Sequence, residues 1–238
     1  MKGTETDMDD YFVLRNVDSE TYDGFTLPAY LTDVLIDQNA HILDFGCGFG
    51  QMISALMQNG FSRLEGADIN SVAIDYLRKR QITVHDLTLE VDFYDRHAGS
   101  YDFVIMSHVL EHFPKTEVIN QLRLCRKLIK AGGALIVMVP NAQSNTGCYW
   151  AYEDFTHHLL FTSGSLHYVL KASGFISVEF LDTDCTAGTT SSLKRAVRRF
   201  LLRIYRRKLA FWNKVTGSAY HAPSPQIFSY EIKALARV

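Results

Sequence analysis

The sequence predicts an α/β fold, a mostly parallel sheet with helices on both faces. Three observations predict it. Short apolar runs alternate with amphipathic helical stretches between residues 41 and 181, the pattern of βαβ units. The run 134–139 is apolar throughout, as a strand buried on both faces requires. An apolar strand at 41–45 leads into three alternating glycines, Gly46, Gly48 and Gly50, ahead of a helix.

The elements follow in order. Residues 27–36 read as a helix with Pro28 in its first turn. Residues 41–45 form the first strand, and 51–59 a helix stopped by Gly60. A second strand spans 64–68. A helix over 71–80 is capped by Asn70 or Ser71. A weak third strand covers 82–85 and a fourth 101–106. Helix 115–129 sets Val118, Ile119, Leu122 and Cys125 on one face, with Gly132-Gly133 after its end. The fifth strand is 134–139. Helix 163–172 and Gly174 precede a sixth strand at 175–181, and 226–236 reads as the last.

Composition sets the frame. Of 238 residues, 47% are hydrophobic and 21% charged, enough to bury a core, so 1–238 is expected to be one domain. No run of eighteen apolar residues is present, which argues against a membrane span. The acidic start, MKGTETDMDD, has no apolar stretch of a signal peptide. Cys47, Cys125, Cys148 and Cys185 lie too far apart for a zinc or disulfide framework, which points to the reducing cytoplasm.

The glycine loop carries the most chemistry. In His41-Ile42-Leu43-Asp44-Phe45-Gly46-Cys47-Gly48-Phe49-Gly50, glycines let the backbone turn and approach a ligand closely, and the following helix offers free N–H groups. A dinucleotide fingerprint would need glycine at 51, where Gln51 stands, so an NAD-type oxidoreductase is disfavoured. No Gly-Lys-Ser/Thr follows, which excludes a Walker loop. Asp68 ends the second strand at the same sheet edge, where a carboxylate can accept bonds from ribose hydroxyls. Asp86 is a third edge carboxylate.

Together with Gly66-Ala67-Asp68, the strand Tyr101-Asp102-Phe103-Val104-Ile105 and the stretch Ser107-His108-Val109-Leu110-Glu111-His112, this loop resembles class I S-adenosylmethionine-dependent methyltransferases. The likeness covers roughly residues 25–182 and the last strand. It implies a Rossmann-like seven-stranded sheet, with the last strand antiparallel between the fifth and sixth. It also implies that Asp44, Gly46, Cys47 and Gly48 hold the methionine end of S-adenosylmethionine. Asp68 would bind the ribose, Ile69 would pack on adenine, and Asp86 with Leu87 would meet the adenine amino group. Ser107 and His108 would line the sulfonium end.

Methyl transfer needs donor and acceptor held in line, and a hydroxyl acceptor also needs a base. The Asn/Asp-Pro-Pro-Tyr signature of nucleic-acid amino-methylating enzymes is missing after strand four. Instead, Asp154-Phe155-Thr156-His157-His158 leaves the cofactor edge after strand five. His157 is the expected base, with His158 second and Asp154 orienting the imidazole. A loop-tying role for the Thr-His pair competes with this. A metal site from Asp154, His157 and His158 is a lesser alternative, because no second His/Asp cluster points to it, and no metal ligand is assigned. His108 and His112, one helical turn apart, read as pocket wall or satisfied core histidines, with a metal pair as the alternative. The segment is similar to sugar and polysaccharide (O-antigen-type) methyltransferases and to the small-molecule branch. O-methylation of a glycan or lipid-linked glycan is the first reading. A secondary-metabolite or quinone-like small molecule is the alternative, and a non-catalytic cofactor-binding or membrane-docking protein the third.

Charge is uneven. Between 193 and 214 there are nine basic residues and no acid, so the formal net charge of −2 leaves −11 on the rest. With Leu193, Val197, Phe200, Leu201, Ile204, Phe211, Trp212 and Val215 near helical spacing, 183–225 reads as a basic amphipathic insertion between strands six and seven. Contact with an anionic membrane, an anionic acceptor, or the body or a second subunit are its three readings. A cytoplasmic protein at the inner face of the membrane fits the first. Nucleic acid is a weak partner for so acidic a body. For the N-terminal region 1–36, with Tyr11-Phe12 and Tyr22…Phe25, the likeness implies a helical lid, and a packed N-terminal helix is the competing reading. Oligomeric state is not legible.

Overall fold

The computed structural model describes residues 10–218 and 226–238. Residues 1–9 of the N-terminal region and 219–225 of the insertion lie outside them. Two short helices, α1 (Tyr11–Leu14) and α2 (Ala29–Thr32), precede β1 (Ile42–Phe45), α3 (Gln51–Gln58), β2 (Leu64–Asp68), α4 (Ser71–Lys79) and β3 (Val84–Asp86). Then come α5 (Phe93–Arg96), β4 (Tyr101–Ser107), a 3₁₀ turn (Leu110–His112), α6 (Val118–Leu128) and β5 (Ile129–Pro140). The chain ends with α7 (Gly147–Glu153), α8 (Ser163–Ala172), β6 (Ser177–Leu181), α9 (Ser192–Thr216) and β7 (Glu231–Arg237).

Among the described residues, seven strands make one sheet in the order β3-β2-β1-β4-β5-β7-β6. β7 is antiparallel to both β5 and β6, and the β1, β2, β3, β4 and β5 pairings are parallel. Period-two alternation divides the core between the two faces. Leu43 and Phe45 of β1, Leu135, Val137 and Val139 of β5, and Ile232, Ala234 and Ala236 of β7 pack with α6 and α8. Ile42, Ala134, Ile136, Met138 and Leu235 point to the other face, against α2 and α3. The parallel strands place their carboxyl ends on one edge, where ligands bind in such sheets.

Several boundaries differ from the sequence reading, each for a local reason. The helix over 27–36 shrinks to one turn, because Thr32 turns its hydroxyl back onto Ala29 O and such side-chain bonds compete with helix. Leu27, Leu31 and Leu35 are still buried. β3 starts two residues late, since Ile82 N–H still bonds to Leu77 O. Gly132-Gly133 do not stop α6. They sit inside β5, whose pairing with β4 shifts register between Tyr101 and Phe103. A Cβ on Gly133 would lie 2.6 Å from Asp102 O. The last strand begins at Glu231, because the Asn141 amide donates to Ile227 O and Ser229 O and holds that stretch off the ladder. The four cysteines are free. No helix among the described residues is long and apolar enough to cross a membrane.

Candidate active site

The glycine loop turns over the end of β1 with Gly46, Gly48 and Gly50 all at positive φ, conformations that cost glycine little. Gly46 is also steric: a Cβ there would meet Val109 Cγ2 at 2.3 Å, so the stretch after β4 closes on the loop. Asp68 ties the loop to β2. Its Oδ2 accepts Gly48 N–H at 2.8 Å, and its Oδ1 accepts the N–H groups of Ile69 and Asn70. Three of about four acceptor positions of a carboxylate are thus filled by backbone. Asp44 lies buried beneath. Burial first, then the neighbouring Asp68 charge, pushes its carboxyl up to about 7.

The remaining edge residues fall beside this loop. Ile69 is exposed there, an open apolar surface. Asp86 is paired with Asp68 across β2 and β3, and its Oδ1 accepts from the N–H and hydroxyl of Thr88. The half-buried Leu87 follows it and donates its N–H to Asp68 O at 2.9 Å. Cys47 departs from the sequence reading. Its side chain is buried with Ile53, Ile74 and Leu77, and its N–H is spent on Ala67 O, so its thiol belongs to the core.

A second cluster builds up across the edge, after β4 and β5. Ser107 ends β4. His108 follows at φ 54 and reaches Glu231 of β7 at 3.0 Å and Glu111 at 3.3 Å. Burial opposes a charge on this imidazole, but the two carboxylates outweigh it and raise His108 to about 10. Glu111 is 0% exposed and neither of its carboxylate oxygens makes a well-aligned hydrogen bond. His108 Nδ1 at 3.3 Å and His157 Nε2 at 3.9 Å approach it.

Asp154, 3% exposed, anchors the cluster, though not as the sequence suggested. It accepts from Tyr11 Oη at 2.7 Å and from Arg15 of the N-terminal segment. It also accepts from Thr156 Oγ1 at 2.6 Å. His157 Nε2 stays 3.6 Å away, so Asp154 does not orient that ring by a hydrogen bond. His157 instead donates Nδ1–H to Trp150 O at 2.7 Å, and its side chain is only 6% exposed. His158 is exposed and joins the group only through its backbone N–H on Glu111 O.

His112 also lies in this cluster. Its Nδ1 lies 2.8 Å from Thr156 Oγ1. The Thr156 hydroxyl proton is committed to Asp154, so the His112 proton sits on Nδ1 and donates to the hydroxyl oxygen. Nε2 is then the lone-pair nitrogen. Burial lowers the His112 pKa to about 4, which keeps the ring neutral. Its ring lies 4.7 Å from His157 and 6.0 Å from Tyr11. Ligand atoms of Glu111, His112 and His157 lie within 4.8 Å of one another. One cation could bridge these three donors, a different trio from Asp154, His157 and His158. The signal for this centre was the Glu111-His112 pair beside Thr156. Tyr11, Arg15 and Glu231 gave none.

The α1 segment spans both halves. Phe12 packs on Phe49 of the glycine loop at 4.7 Å between ring centroids, while Tyr11 and Arg15 hold Asp154.

This edge, with an open glycine loop on one side and a histidine–carboxylate cluster on the other, sits on the fold of S-adenosylmethionine-dependent methyltransferases. One such structure from Archaeoglobus fulgidus superposes with a TM-score of 0.63 at 19% identity, covering 96% of this chain and 100% of that one. A family model for the methyltransferase domain matches residues 23–179. The chain belongs to this methyltransferase-domain family. Similar curated proteins include ubiquinone biosynthesis O-methyltransferases. The one from Coxiella burnetii is 26% identical over 116 residues, 47% of this chain and 48% of that protein. The one from Pseudomonas aeruginosa is 31% identical over 114 residues, 42% and 44%. The chain thus spans about half the length of these relatives.

Proposed function

We propose that the protein transfers a methyl group from S-adenosylmethionine to a hydroxyl of a small-molecule acceptor, with His112 as general base. The observation that carries this is the Asp154–Thr156–His112 chain, which fixes the tautomer and presents Nε2 as an acceptor. Asp44 and the loop 46–50 take the methionine end, Asp68 the ribose, Ile69 and Leu87 the adenine face, and Asp86 its amino group. Ser107 and His108 flank the sulfonium. The donor supplies an activated methyl, and the chain's own part is to orient both partners and take the acceptor proton at His112 Nε2. His157 and Glu111 position the cluster. The names of the curated relatives favour a small, quinone-like hydroxylated acceptor over a glycan.

Turnover with a panel of catechols, hydroxyquinones and free sugars tests the acceptor class. Methylation confined to the sugars would return the glycan to first place. His112→Ala should lose about 10²–10⁴ in kcat while still binding the cofactor. A loss of that size in His157→Ala, with His112→Ala active, would restore His157 as base. Dialysis against EDTA should leave the rate unchanged. A chelator-sensitive rate recovered by a divalent cation would move the role to a metal on Glu111, His112 and His157.

A further inference from the structure

The basic helix α9 runs 25 residues, from its cap at Ser191 to Gly217 in the left-handed conformation. It carries nine cations and no acid. None of its residues is buried. Contact with the rest of the chain is made on one side, where Leu202, Tyr205, Arg206, Leu209 and Asn213 are half-buried and Arg198 and Arg199 bond to Cys185 O and Asp184. The Tyr205 hydroxyl bonds Asn145 Oδ1 at 2.6 Å, its ring meets Phe228, and Arg206 donates to Gln226 O.

The apolar stripe points the other way. Leu193, Val197, Phe200, Ile204, Phe211 and Val215 recur on one helical face, and all are exposed. Leu202 is nine residues past Leu193, so at about 100° per residue the stripe stands half a turn from the body-facing line. Phe200 and Phe211 are each 60% exposed and Trp212 52%. The sequence left open whether this face packs on the body, and in the structure it does not.

We propose that α9 docks the protein on an anionic lipid surface, with the stripe entering the headgroup boundary and the flanking cations pairing with lipid phosphates. The occupant follows from charge. Two copies of this helix packed stripe to stripe would bring like cations together, because the position between Ile204 and Phe211 on the seam is held by Arg207 and Lys208. An anionic headgroup layer neutralises those same residues, and the aromatic end at Phe211-Trp212 suits the interface. The −11 remainder of the chain would be repelled by that layer, so charge also selects the face that docks. Asn145, which holds Tyr205, precedes a segment that exposes Tyr149, Tyr152 and Phe155. The body-facing side of α9 is thus tied to the segment that leads into the loop carrying Asp154 and His157.

Sedimentation of the full chain with vesicles tests this. The protein should pellet with mixed phosphatidylglycerol–phosphatidylcholine vesicles at low salt, stay free with phosphatidylcholine alone, and be released by high salt. Phe200→Glu/Ile204→Glu should abolish pelleting, and Arg203→Gln or Arg207→Gln should each weaken partitioning about fivefold. All four positions are exposed, and cofactor binding reports the fold of each variant. Three results would overturn the proposal: equal pelleting with neutral vesicles, full pelleting by the Phe200→Glu/Ile204→Glu variant, or a dimer in solution that this variant converts to monomer without vesicle binding by either form. Cofactor binding and methyl transfer to soluble acceptors are read separately, so docking and the methyltransferase reading fail independently.

Discussion

Asp44 is the residue at which stability and ligand binding oppose each other. Its carboxyl is raised to about 7 by burial and by Asp68, while an unfolded aspartate titrates near 3.9. Between roughly pH 4 and 7 the folded chain therefore binds more protons than the unfolded one, and stability falls as pH rises through that window. Asp44→Asn should be the more stable protein at pH 8, by a few kcal/mol at most, with the gap closing toward pH 4. Urea unfolding at the two pH values checks this. On the proposed role of Asp44, the same variant should bind S-adenosylmethionine more weakly, because the ammonium of the methionine end would lose a counter-charge. Cofactor binding at pH 7 should also release protons, since a nearby cation lowers the Asp44 pKa. Calorimetry in two buffers of different ionisation enthalpy reads that release.

At the scale of elements, β5 shows how a strand absorbs an irregularity. Gly133 fits where a Cβ would stand 2.6 Å from Asp102 O and 2.7 Å from Ile129 Cγ2. Gly133→Val should cost about 1–3 kcal/mol, seen as a lower urea midpoint with an unchanged slope. From sequence, two glycines after an amphipathic helix look like its stop signal, and only the pairing of Tyr101 with Ile129 moves them into the strand. The glycine loop and Asp68 were legible, because their chemistry is contained in short runs with local backbone consequences. The histidine cluster was legible in composition but not in assignment. Asp154 meets Tyr11 across 143 positions of chain, and His112 meets Thr156 across 44. No periodicity encodes such meetings.

For the whole molecule, strand–helix alternation gives the parallel sheet and the family likeness implies an antiparallel last strand between the fifth and sixth, and the sheet bears both out. The direction of the outward stripe on α9 was not legible. A helical wheel gives the angle between two faces, but not which of them the body takes. A cofactor that binds only the folded chain should raise its melting temperature. At a hundredfold excess over Kd the gain is about 2.7 kcal/mol, or roughly 5–10 °C for a chain of this size. No shift with S-adenosylmethionine or its demethylated product would remove the basis of the assignment.

The placement of β7 also governs when the active edge can exist. β6 has β7 as its sheet neighbour, and β5 meets β7 along seven residue pairs. Glu231, the partner of His108, lies on that same strand. A chain without β7 would therefore keep the tie between Asp68 and the glycine loop, yet lose both the sheet neighbour of β6 and the carboxylate that faces His108.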